Sequence, residues 1–250
     1  MENYNQQSRT YPIQNSATAG SGSLAKNFMA NVFTWMFVAL GVSSLFAILF
    51  ANNTHLLAYL FNTITGKMNP LGWIVMFAPL GFVMLMSFGF QRLSASAITT
   101  LFLVYAAING ISFSFILLAY TANSVIGCFL SAAAMFGVMA VMGYTTTKDL
   151  TSFGRLLMMA LIGILVAMLI NLFMKSDTMG YVISVIAVLV FTGLTAYDVQ
   201  KLKRIGEGVE YEGTPANETR KLAVMGALSL YLDFINIFIH LLRLFGGRRD

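Results

Sequence analysis

Seven stretches of near-continuous apolar residues, separated by short polar links, dominate the chain. A helix needs roughly 20 apolar residues to cross the hydrocarbon core of a bilayer. The runs Phe28–Phe50, Leu71–Phe90, Ala97–Tyr120, Ser124–Tyr144, Gly154–Met174, Gly180–Gln200 and Leu222–Phe245 all meet that length. They are continuous rather than alternating, which predicts spanning helices and not a barrel. Links such as Thr121–Asn123 are short, so neighbouring helices should run antiparallel. Pro79, Gly110, Gly137, Gly163 and Gly193 are tolerable inside the runs where other helices cover the backbone. Two polar segments stand outside this pattern. The tail Met1–Lys26, rich in Asn, Gln, Ser and Thr, is expected to be disordered. The stretch 202–219, with Glu207, Glu210, Glu212 and Glu218, is expected to be a solvated acidic loop. A cleavable signal peptide is not expected, because the first run is long enough to span and is followed by more of the same.

Composition narrows the class. Of 250 residues, 58% are hydrophobic and 10% charged, whereas soluble domains are about a quarter charged. The reading is an all-α, multi-pass integral membrane protein with the lipid bilayer as its first partner. The net charge of +5 is scattered as short basic clusters between apolar runs, which suits lipid headgroups and topology signals and not nucleic acid. An N-terminus inside places Arg9, Lys26, Arg92, Lys148, Arg155, Lys201, Lys203, Arg204, Arg220 and Lys221 on the inner side. It leaves Lys67, Lys175, Arg243, Arg248 and Arg249 outside, ten against five of the 15. The N-terminus is therefore expected in the cytoplasm and the protein in the plasma membrane, the inner membrane if bacterial. Seven full crossings put a basic C-terminus outside, while a re-entrant last segment would return it; both stay open. The single Cys128 excludes an intrachain disulfide and a cysteine-based zinc cluster.

The chemistry lies in two acids. Of ten Asp and Glu residues, eight fall in tails or polar segments, while Asp198 and Asp233 sit inside apolar runs. An ionised carboxylate there costs at least a few kcal/mol and marks an ion path, a proton relay or a ligand site. In the last run Ser229, Asp233, Asn236, His240 and Arg243 recur at steps of four, three, four and three, one stripe of a helix. A polar stripe faces protein or water, so the seventh helix is expected to be the hub of the other six. Thr195 and Asp198 lie one turn apart near the inner end of the sixth run, and Arg92 closes the second run at the same face. An Arg92–Asp198 contact would be a bidentate latch. Asp233, about eleven residues into its run, lies roughly 16 Å deep by helical rise. If the two carboxylates meet, they titrate as one unit and can share a proton or hold a divalent cation. Protonation of Asp198 would also release Arg92.

Blander readings compete. Interhelical hydrogen bonds for packing alone suit Ser229 and Asn236, and a buried hydrogen-bonded imidazole suits His240 better than a proton relay. An intramembrane aspartyl protease would use two carboxylates to activate water. The second aspartate of presenilin-like enzymes follows Gly-x-Gly, however, and here it follows Leu-Tyr-Leu. No G-x-x-x-x-G-K-[ST] phosphate loop occurs. No enzyme activity and no cofactor are expected.

The run Ser229-Leu-Tyr-Leu-Asp233-Phe-Ile-Asn236-Ile-Phe-Ile-His240-Leu-Leu-Arg243 resembles the last-helix signature of the transmembrane BAX inhibitor motif family. Phe191-Thr-Gly-Leu-Thr-Ala-Tyr197-Asp198 resembles its sixth helix, and Gln91-Arg92 with Ile108-Asn109-Gly110-Ile111 resembles the region of its second and third. The resemblance runs from about Lys26 onward and is nearest in character to bacterial members. It implies six helices around a central seventh, an aspartate pair serving as pH sensor and cation site, and an arginine latch. On this chain those are Asp198, Asp233 and Arg92. It further implies a pH-dependent calcium leak or, alternatively, a regulator without transport that restrains a membrane-bound AAA protease or a cell-death or stress partner. The polar tail would be that regulator's contact element. The chain departs from small bacterial members in its longer tail, its longer acidic stretch and a second helix without acids.

Overall fold

The computed structural model describes residues 22–62 and 67–249. The long helices are α1 (Ser23–Ala51), α3 (Pro70–Gly89), α4 (Ala95–Ala119), α5 (Ala122–Thr145), α6 (Thr151–Met174), α7 (Asp177–Glu212) and α8 (Ala216–Phe245). All seven are long and apolar enough to cross a membrane. A short helix α2 (Thr54–Leu60) and an antiparallel pair of two-residue strands, β1 (Phe61–Asn62) and β2 (Lys67–Met68), occupy the link between α1 and α3. Helix starts follow local chemistry. Ser94 accepts from the Ala97 N–H, Ser176 from the Met179 N–H, and Pro70 opens α3, where its missing N–H costs nothing.

α8 is the hub. Within the spans, 67% of its apolar window is buried, against 11% for α3 and α6. It packs directly on α7, α1, α5 and α4, while α3 rests mainly on α4 and α6 on α7. Phe37, Leu45, Leu80, Phe88, Leu130 and Phe173 point outward and form the lipid-facing belt. Between helices in lipid, apolar burial supplies little drive, so close contact must do more. Gly110 shows this: a Cβ there would run into the Ser43 backbone, so α1 and α4 approach backbone to backbone.

Two expectations change, and a third point that the sequence left open is decided. Residues 202–212 are not a loop: α7 continues unbroken to Glu212, and only Gly213–Pro215 join it to α8. Leu202, Ile205 and Val209 keep helical spacing through the acidic stretch, with Leu202 and Val209 buried. The helix ends where Gly213 takes the left-handed conformation, φ 62°. At 36 residues, α7 is about 54 Å long, well beyond the ~30 Å hydrocarbon thickness. Its acidic end therefore stands in water. The second change is at the start: α1 begins at Ser23, so the tail's last residues are helical. The rest of the tail, with the contact role suggested for it, lies outside the described residues. The third concerns the last segment. α8 is one uninterrupted 30-residue helix and does not turn back. The Thr121 N–H donates to Gly247 O and the Arg249 N–H to Ala119 O, both at 3.0 Å, which ties the segment after α8 to the α4–α5 link. The start of α1 is at the other end, where Gly22 N–H donates to Glu210 near the end of α7.

Candidate functional site

α7 and α8 lie antiparallel, and the polar stripe of α8 faces α7. Leu202 packs on Gly226, the Phe191 ring stacks on His240 at 6.4 Å, and Asp198 and Asp233 lie on the facing helices between these two contacts. Farther along, Ser184 Oγ bonds His240 Nδ1 at 3.1 Å, and the Arg243 guanidinium lies against Gly180. The Ser184 hydroxyl donates its one proton to Gly180 O at 2.9 Å, so His240 Nδ1 must be the donor to Ser184. His240 is thus a satisfied buried histidine.

Asp233 is only 4% exposed, and its Oδ2 is buried with no hydrogen-bond partner among the described residues. A buried polar oxygen normally has one. Asp198 lines a cavity of about 350 Å³ together with Ser87 and Phe90 of α3, Lys201 of α7, and Gly226 and Ser229 of α8. Ser229 lies one turn before Asp233, roughly 6 Å along the axis. Asp233 does not itself line the cavity; Ser229 is the lining residue of α8 nearest to it in sequence. Next to Asp233 on α8, Phe234 meets the rings of Phe129 and Phe136 at 5.2 and 5.8 Å.

Asp198 lies near the inner end of the sixth apolar run, and the helix continues past that run: α7 reaches Glu212, 14 residues beyond Asp198, about 21 Å. Arg92 is exposed after the end of α3 and makes no ion pair among the described residues, so the expected Arg92–Asp198 contact is not made. Ser87 of α3 and Phe90, just past its end, both line the cavity, and the buried Lys221 ammonium lies 5.1 Å above the Phe90 ring. Thr195 Oγ1 donates to Phe191 O and Asn236 Nδ2 to Leu232 O, each within its own helix. Among the described residues no three His, Cys, Asp or Glu side chains cluster as metal ligands. Calcium takes six to eight oxygens. Two carboxylates and a hydroxyl fall short of that number.

Several polar contacts escaped the sequence reading. Tyr231 donates to Ser43 Oγ at 2.7 Å, and Ser43 in turn donates to Ala106 O at 2.7 Å, joining α8, α1 and α4. Glu210 accepts from the Gly22 and Ala25 N–H groups, placing a carboxylate at the positive end of α1. Arg204 bonds Asp149 at 2.7 Å and Thr151 at 3.1 Å, pinning the α5–α6 link to α7. The one available signal was Tyr231 itself, a hydroxyl in an apolar run that needs a partner.

At that link, the Thr151 hydroxyl and N–H, and then Arg204, hold the Asp149 carboxyl well below the usual carboxylate range. A depressed folded value contributes stability that is present above about pH 4 and is lost as pH falls through the folded value. Asp149→Asn is therefore expected to lower the melting temperature slightly at pH 7 and not at strongly acid pH. Thermal unfolding at both pH values checks it. Exposure keeps the effect small.

The family model described as Inhibitor of apoptosis-promoting Bax1 matches residues 25–250. Inner membrane protein YbhL of Escherichia coli K12 is 44% identical over 224 residues, 90% of this chain and 93% of YbhL. The uncharacterized protein RP147 of Rickettsia prowazekii is 38% identical over 225 residues, 90% of this chain and 91% of its own length. An uncharacterized membrane protein of Streptococcus pyogenes is 48% identical over 162 residues, 65% of this chain and 68% of its own.

Proposed function

The chain belongs to the family of inhibitors of apoptosis-promoting Bax1, and from that premise we propose that this multi-pass membrane protein is a pH-sensitive cation leak, with calcium as the species passed. Its similarity to YbhL supports the bacterial inner membrane as its location. The observation that carries the reading is the buried, unpartnered Asp233 Oδ2, one helical turn beyond Ser229, which lines a cavity together with Asp198. A deep acid without hydrogen bonds is stabilised by taking up a proton or a cation, and the cavity supplies the route for either. Protons and calcium then compete for the pair, which makes occupancy depend on pH. Lys201 lines the same cavity and opposes cation entry. Arg92 acts in a second conformation, in which the end of α3 swings toward the cavity and the guanidinium engages ionised Asp198. Acid removes that charge and frees α3.

Calcium flux into liposomes holding the purified protein, measured from pH 5 to pH 8, tests the proposal. Flux that rises on acidification supports it; flux equal to protein-free liposomes at every pH rejects it. Arg92→Ala is expected to raise the leak at neutral pH several-fold, a latch contact between charged groups being worth roughly 1.5–3 kcal/mol before solvent weakens it. A neutral-pH leak no higher than the parent's would remove Arg92 from the gate.

A further inference from the structure

The end of the bundle away from the aspartate cavity holds a second feature. α4 and α5 are consecutive yet barely touch. The gap between them is an apolar groove of about 250 Å³, floored by Ile235 and Phe238 of α8 and flanked by Ala47 of α1, Phe113 of α4 and Phe129 of α5. Its rim residues Ile48, Ile126 and Leu130 are exposed, so in a membrane the groove opens sideways to the lipid. An apolar groove facing hydrocarbon is filled by hydrocarbon.

The mouth of the groove is charged. Ile116 and Val125 line its upper end, each four residues, about 6 Å, from the Tyr120–Thr121 link. Tyr120 forms a backbone bridge with Arg248, the Arg249 N–H donates to Ala119 O, and the Gly247 N–H donates to Ser124 Oγ. These bonds fix the backbone of two exposed arginines against the link that joins α4 to α5 at the end of the gap. Neither forms an ion pair among the described residues. A guanidinium pair at the headgroup level, above an acyl-sized slot, is complementary to a phosphate with a tail.

We propose that the α1–α4–α5–α8 groove and the Arg248–Arg249 pair together bind an anionic phospholipid of the bilayer, one acyl chain in the groove and its headgroup phosphate on the guanidiniums. The bound lipid would fill the gap between two spans that do not pack on each other. It would also tether the segment after α8.

Phosphatidylglycerol and phosphatidylcholine of matched chain length are the probes, with retention by the intact full-length protein read by native mass spectrometry. The expected result is a roughly tenfold preference for phosphatidylglycerol, in line with two basic groups at a headgroup surface. Replacing both arginines, Arg248→Gln with Arg249→Gln, should erase the preference. Ser44→Phe, whose side chain enters the groove from α1, should lower retention of both lipids. Lys175→Gln, on the α6–α7 link, should leave the preference intact. Equal retention of the two lipids by the parent protein overturns the site. So does a preference that survives the double replacement, or one lost equally with Lys175→Gln. Melting temperatures near the parent's confirm that each variant is folded, and loss of lipid preference in a folded variant is the decisive reading.

Discussion

Asp233→Asn is expected to cut calcium flux roughly tenfold or more and to flatten its dependence on pH. The reasoning starts from burial. Asp233 is 4% exposed, its Oδ2 has no hydrogen-bond partner among the described residues, and its nearest charged neighbour along α7 is another acid. A passing divalent cation is held there by charge, because hydrogen-bonding oxygens are too few. Removing one of two charges forfeits an interaction of roughly 1.5–3 kcal/mol, which is about tenfold or more in occupancy. Asn also cannot take up a proton, so the pair no longer titrates as a unit, and only the release of Arg92 from Asp198 is left to respond to pH. Asp198→Asn should flatten the same response, and it should additionally free Arg92 at all pH values. The measurement is flux in liposomes across the pH series, with the melting temperature of each variant as a folding control. Parent-like flux and pH response in both variants would exclude the pair from the mechanism.

Tyr231→Ala is expected to be the most destabilising single change in the bundle outside the spans' glycine contacts. The ring is fully buried at 0% exposure and meets Phe102 and Tyr105 edge-on at 6.0 and 5.7 Å. Its hydroxyl bonds Ser43 on α1, which is itself bonded to the α4 backbone. One side chain of the hub therefore holds two of the surrounding helices. Aromatic truncation in a soluble core costs about 3–5 kcal/mol. In a bilayer the transfer part is small and the lost contacts dominate, so about 2–3 kcal/mol is expected here. Tyr231→Phe isolates the hydroxyl and should cost about 1 kcal/mol or less. Ser43 keeps its bond to Ala106 O in both variants, so no orphaned donor confuses the comparison. Unfolding in mixed micelles by added denaturing detergent gives both values, and a Tyr231→Ala midpoint equal to the parent's would refute the bridging role.

The contrast between Asp198 and Glu210 shows why some of the site was legible and some was not. Both lie on α7, and both were visible as acids. Asp198 drew notice because its neighbours are apolar, and that context is local. Glu210 was read as part of a solvated loop because acidic neighbours outvoted the weaker spacing of Leu202, Ile205 and Val209. Its real task, capping α1, depends on a helix 185 residues away in sequence. Arg92 illustrates the reverse case. Hydropathy put it at the correct end of α3, yet its distance from Asp198 depends on how α3 leans on α4, and no pattern along the chain encodes that.

Length, apolar run and the period of one polar stripe were enough to determine seven spans, their order, the central position of α8 and the presence of two acids inside apolar runs, since each follows from what a bilayer tolerates locally. Which groups lie together was decided in three dimensions: the cavity that Asp198 shares with Ser229, the burial of Asp233, the unpaired Arg92, and the backbone of Arg248 and Arg249 bonded to the α4–α5 link. Those depend on helix lengths and lean angles set by close contacts such as Gly110 against Ser43, where backbones meet and a single added carbon would move a helix.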